Sequence, residues 1–179
     1  MGTYEEAEKL AREAGFSHLT RLDCATIELL PEVRQMCEAN TCGQYGKNWA
    51  CPPGCGTLEE CRDRIAPYSW GILVQTVGEL EDSLDFEGIM ETEERHKKCF
   101  AKAADLMRAH FSDVFSLGAG CCTICADCAY PDAPCRFPEK RVSSVESYGI
   151  FVSQLCKDNG IPYNYGPDTI AYTSCFLLG

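Results

Sequence analysis

Two short loops hold most of this chain's sulfur and dictate where regular structure must stop. Four cysteines stand between Cys37 and Cys55 and five more between Cys121 and Cys135, so nine of the fourteen cysteines in the 179-residue chain fall in two stretches. Both stretches are rich in glycine and proline, which forbid a continuous helix or strand. Thiols crowded into such irregular backbone are placed to grip metal rather than to fill a core.

Around the loops the pattern alternates between helical and extended periods. Thr3 and Glu6 form a capping box, Ala7, Leu10, Ala11 and Ala14 line one helical face, and Gly15 stops it. The run from Leu19 to Leu30 reads as a strand or bent hairpin ended by Pro31, and a brief helical piece leads into the first loop. A second box, Thr57 and Glu60, opens a helix with Leu58, Cys61 and Ile65 inward. Residues 70–77, WGILVQTV, read as a buried strand, and a long helix is expected from about Thr92 to Phe111, burying Phe100, Ala103, Met107 and Phe111. Val114 to Leu117 reads as a strand feeding the second loop. Ser143 and Glu146 suggest a third capping box and a helix running to Asn159 and Gly160, and IAYTSCFLLG closes the chain as a central strand. The expected fold is α+β: a mixed sheet with interleaved helices, a ferredoxin-like or related layer, in one domain spanning residues 1–179 and carrying two cysteine-rich metal loops.

The net charge of -11 argues against nucleic acid as a partner, because phosphate backbones are held by clustered Lys and Arg. No apolar run is long enough to span a bilayer, and the N-terminal segment is charged and helical, unlike a secretory leader. Free thiols on this scale fit a reducing cytoplasm, so the expectation is a cytoplasmic protein without a membrane partner.

The second loop carries the sharpest signal. Cys122, Cys125 and Cys128 are spaced three apart, as are the first three ligands of a bacterial ferredoxin run, and Cys135 is the natural fourth. In a ferredoxin the last cysteine comes sooner, precedes Pro and serves another cluster; here Arg136, Phe137 and Pro138 follow, and a self-contained site is the simpler reading. The first loop supplies Cys37, Cys42, Cys51 and Cys55 at looser spacing, with Pro52 and Pro53 stiffening the turn. Zinc competes at both sets, since four thiolates also make a structural zinc tetrahedron, but zinc sites usually draw two ligands from each of two knuckles. Cys121 is open between a spare thiol, an alternate ligand and a packing residue. Cys24, Cys61, Cys99, Cys156 and Cys175 fall in predicted helices and strands, where a small buried hydrophobe is the ordinary role.

The segments VRQMCEANTCGQYGKNWACPPGCG and CTICADCAYPDAPCRFPEKRVSSVESYGI resemble the prokaryotic predicted metal-binding proteins called domain of unknown function 2284. The resemblance runs over nearly the whole chain and implies cysteine-bound metal, with iron–sulfur the expectation, in proteins common among anaerobes. It brings no established reaction.

Other candidate chemistry is weaker. His96 stands three residues before Cys99 on the long helix, where a Cys–His pair is conceivable but an exposed helical histidine is the commoner role. Tyr45, Trp49, Tyr130, Phe137, Tyr163 and Tyr165 lie in or near the loops and are expected to shield the metal. No nucleotide-binding glycine motif is present. The reading that follows is an electron carrier or redox subunit with two [4Fe-4S] clusters, one on Cys37, Cys42, Cys51 and Cys55, the other on Cys122, Cys125, Cys128 and Cys135, serving redox partner proteins that the sequence does not name. The alternatives are an enzyme with an open iron site, for which the first loop is the place, and a zinc-stabilised interaction module.

Overall fold

A computed structural model describes residues 2–179. Its centre is a five-stranded mixed sheet in the order β1-β2-β5-β3-β4, with β1 at His18–Asp23, β2 at Trp70–Glu79, β3 at Val114–Gly118, β4 at Ser143–Ser144 and β5 at Thr169–Leu178. β1, β2, β5 and β3 pair antiparallel, and β3 with β4 parallel.

Helices cover both faces, which explains why β2 and β5 read as nearly unbroken apolar runs. Successive residues of a strand point to opposite faces. Ile72 and Val74 of β2, with Phe176 and Leu178 of β5, therefore pack against α1 (Tyr4–Ala14) and α4 (Phe86–His110). Leu73, Cys175 and Leu177 face the other way, against α3 (Leu58–Ile65) and α5 (Val152–Asp158). The capping boxes at Thr3 and Thr57 both form, and Gly15 closes α1 in the left-handed region with φ 115°.

Three expectations change. α4 begins at Phe86, ahead of Thr92, because the Asp85 side chain accepts from the Gly88 N–H at 2.9 Å and caps a turn that the acidic sequence had obscured. The expected helix from Ser143 does not form: Ser143 and Ser144 pair with Leu117 and Gly118 as β4, and a single 3₁₀ turn follows at Glu146–Tyr148. Gly149, at φ 76°, then breaks the path, and α5 starts only at Val152. His96 is buried rather than exposed. It belongs to the α4 stripe with Phe100, Ala103 and Met107, and its ring bonds the Thr76 hydroxyl through Nδ1 at 2.8 Å and the Ser174 hydroxyl through Nε2 at 2.7 Å. Burial, with a smaller effect from the Lys97 charge, lowers its pKa to about 4. Both ring nitrogens are used in the core, so His96 forms no pair with Cys99.

The topology sets where the cysteines go. β3 leads into the second cysteine loop and β4 receives it, so the loop is closed at its base by adjacent parallel strands and by the Val145 N–H donating to the Gly118 carbonyl at 3.0 Å. The first loop leaves α2 (Pro31–Glu38) and returns through α3. The Leu30 N–H before α2 donates to the Gly149 carbonyl at 2.7 Å, which ties this loop to the turn that follows β4. Both loops thus emerge at one end of the sheet.

Candidate metal centres

Each loop is shaped by side chains that stand in for missing secondary structure. The Asn48 side-chain oxygen accepts from the N–H groups of Ala50 at 3.0 Å and Cys51 at 2.8 Å, which fixes the direction of Cys51. Gly46 donates to the Pro52 carbonyl at 2.9 Å and closes the loop on itself. Gly54 sits where backbone segments meet: a Cβ there would lie 2.4 Å from the Asn48 carbonyl oxygen and 3.0 Å from the Tyr130 ring, so only glycine fits. In the second loop Arg136 donates to the Asp127 carbonyl at 2.7 Å, and the Lys140 and Arg141 N–H groups close on the Phe137 carbonyl.

Two cavities lie between the loops, and each is walled by four cysteines. Cys122, Cys125, Cys128 and Cys135 surround a small cavity of about 30 Å³, together with Trp49 and Arg141. The larger cavity, about 400 Å³, is lined by Cys37, Cys42, Cys51 and Cys121, with Tyr45 and Ser147. Cys55 does not line it. The loops therefore interlock: the second contributes Cys121 to the cavity of the first, and the first contributes Trp49 to the cavity of the second. Trp49 is held there by its indole N–H, which donates to the Ala133 carbonyl at 2.9 Å, and by an edge-on contact with Tyr130, ring centres 4.8 Å apart.

Of the aromatics expected to shield metal, Tyr45, Trp49, Tyr130 and Phe137 are at the loops. Tyr165 is not: it donates to Gln75 at 2.6 Å and packs on His18. Tyr163 is half exposed and lines neither cavity.

Cys55 is turned into the core with Cys61. The exposures are 1% and 0%, and each thiol's strongest neighbour is the other. The interaction of the two thiols, with burial, raises the Cys55 pKa; the same interaction and the charge of Arg34, working against burial, bring Cys61 down. Burial raises the thiols of Cys37 and Cys51 too, aided at Cys37 by Cys42 and opposed at Cys51 by the bond to Asn48. Ligation of a metal by these thiols would have to displace their protons. Cys156 and Cys175 are buried packing residues, and Cys24 and Cys99 are half-buried against the two cores, as expected.

All fourteen cysteines are free thiols. Among the described residues no three His, Cys, Asp or Glu side chains meet closely enough to hold a single ion; the sulfurs line walls instead. The description of a family of predicted metal-binding proteins, domain of unknown function 2284, matches residues 20–178. The chain belongs to that family. It is a cysteine-rich, predicted metal-binding protein, and the matched span includes both four-cysteine cavities and all of the sheet but the first two residues of β1. No curated protein and no solved structure matches it. Among the described residues of this family member no helix is long and apolar enough to cross a membrane.

Proposed function

We propose that the protein holds two iron–sulfur clusters and passes single electrons between partner proteins. The observation that carries this reading is the partition of eight cysteines into two neighbouring four-cysteine cavities. In the first, Cys37, Cys42 and Cys51 are joined by Cys121, which takes the place given to Cys55 on sequence grounds. In the second, Cys122, Cys125, Cys128 and Cys135 serve together. When bound, each cluster supplies one-electron transfer at a potential set by hydrogen bonds, charge and exposure.

The chain's own residues do the rest. Four thiolates per site close the coordination, which favours electron transfer over substrate chemistry at an open iron. Arg141 offsets part of the negative charge at the second site, and Trp49 excludes water from it. Cys121 and Cys122 are joined by one peptide bond, so the two sites are linked by a short covalent path. Cys128, Ile124 and Phe137 are exposed around the second cavity, which gives a partner protein an apolar rim next to the ligands.

A zinc reading keeps one observation in its favour, the small volume of the second cavity, which suits a single ion. Iron, zinc and acid-labile sulfide measured on protein prepared without oxygen separate the two. Iron with matching sulfide supports clusters, and zinc without sulfide supports a structural module.

A further inference from the structure

Behind the first cavity lies a thiol pair that the metal sites leave unused. Cys55 closes the first loop and Cys61 sits one turn into α3, both with essentially no exposed surface. One nitrogen of Arg34, Nη2, touches both sulfurs, at 3.6 Å from Cys55 and 3.4 Å from Cys61, while Nη1 donates to the Gly56 carbonyl at 2.8 Å. The Arg34 Nε is buried with no partner, and among the described residues Arg34 makes no ion pair. Arg64 approaches from the other side, donating to the Cys55 carbonyl and to the Tyr148 hydroxyl. A part-buried guanidinium set against two sulfurs, with no carboxylate and one buried nitrogen unpartnered, is costly as mere packing, because a charge drawn from water needs a partner.

We propose that Cys55 and Cys61 form a two-electron dithiol–disulfide couple whose redox partners are the two metal centres, the first of them adjacent. The inference rests on the iron–sulfur reading above and on Cys121, not Cys55, completing the first site. Burial denies the pair to outside thiols, since exchange requires a thiolate to reach a sulfur directly. Electrons need no such access. The Cys55 N–H donates to the Cys51 carbonyl at 3.0 Å, and the Cys55 thiol donates to the Ser147 carbonyl at 3.7 Å, so the pair is hydrogen-bonded to a ligand residue and to a wall of the first cavity.

The step balances within the protein. Oxidation of the pair breaks two S–H bonds, forms one S–S bond, and releases two protons to solvent by way of the first cavity. With a cluster held at each site, the two would accept one electron each from the pair; in reverse they would return both electrons as two protons are taken up and the S–S bond breaks. Two one-electron sites beside one two-electron couple convert between single-electron carriers and electron pairs.

The test uses the intact, cluster-loaded protein under anaerobic conditions, poised with ferricyanide or with dithionite, then quenched in acid, alkylated and digested. The oxidised sample is expected to contain a Cys55–Cys61 cross-linked peptide, two hydrogens lighter than the thiol form and protected from alkylation, and dithionite is expected to abolish it. Cys61→Ser is expected to lose this couple while its iron and sulfide content stays about equal to that of the parent. The proposal is overturned if both thiols alkylate fully in oxidised, cluster-loaded wild-type protein, a result that does not depend on any variant folding. Loss of one site's iron in Cys55→Ser, with Cys121→Ser unaffected, also overturns it by making Cys55 a ligand. Absence of iron and sulfide from the wild type sinks the cluster reading itself, and with it the electron partner of the pair.

Discussion

Cys121 and Cys122 are consecutive in the chain but divide between the two four-cysteine cavities, Cys121 lining that of Cys37, Cys42 and Cys51, Cys122 that of Cys125, Cys128 and Cys135. A doubled cysteine at the end of β3 is thereby the joint between the two loops.

Exchanging the fourth ligand of the first site separates the two candidates. Cys121→Ser is expected to lose about half of the bound iron, the share of one of two sites, while Cys55→Ser keeps its full complement. Iron and sulfide per chain, with the spectra of the reduced proteins, check this.

Trp49 is contributed by one loop to guard the other loop's site. Trp49→Ala removes its bond to Ala133 and its contact with Tyr130, and metal held by the second cavity is expected to be lost about tenfold faster, the scale of effect for groups surrounding a metal's ligands. The rate of bleaching in air, followed beside the parent protein, measures it.

Gly54 has no room for a side chain. Gly54→Ala drives a methyl into the Asn48 carbonyl and is expected to cost about 2 kcal/mol and to lower loading at both sites, because Asn48 orients Cys51 and neighbours Trp49. Gly43→Ala is the comparison: its Cβ would meet nothing, so only the left-handed backbone is penalised, by about 1 kcal/mol. Thermal unfolding of both variants shows whether the order holds.

His96 makes stability fall in mild acid. Its folded pKa, about 4, lies below the ordinary histidine value, so the unfolded chain takes up the proton first as pH drops, and stability present above about pH 6.5 is lost on the way down toward pH 4. From about pH 7.5 to about pH 5 the loss from this one side chain is about 2 kcal/mol. Urea unfolding of metal-free protein at the two pH values checks it, and His96→Gln is expected to flatten the response.

The sheet and the grouping of Cys122, Cys125, Cys128 and Cys135 around one cavity were legible because their signals are local. WGILVQTV and IAYTSCFLLG announce buried strands by composition, and the three-residue spacing of Cys122, Cys125 and Cys128 is contained in one turn. The lining of the first cavity was not, because its fourth cysteine, Cys121, comes after α3, β2, α4 and β3 and is delivered by the pairing of β3 with β5 and β4. Ser143 and Glu146 misled for a related reason. Their capping spacing is genuine, but strand pairing with Leu117 and the reversal at Gly149 override a local preference. His96 carried a usable clue, since it lies four residues before Phe100 on the same buried stripe of α4.

If two sets of four thiolates hold iron and sulfide, anaerobically prepared protein contains about eight iron and eight acid-labile sulfide per chain and shows broad brown absorbance. A colourless protein with zinc at about one or two ions per chain and no sulfide contradicts that reading.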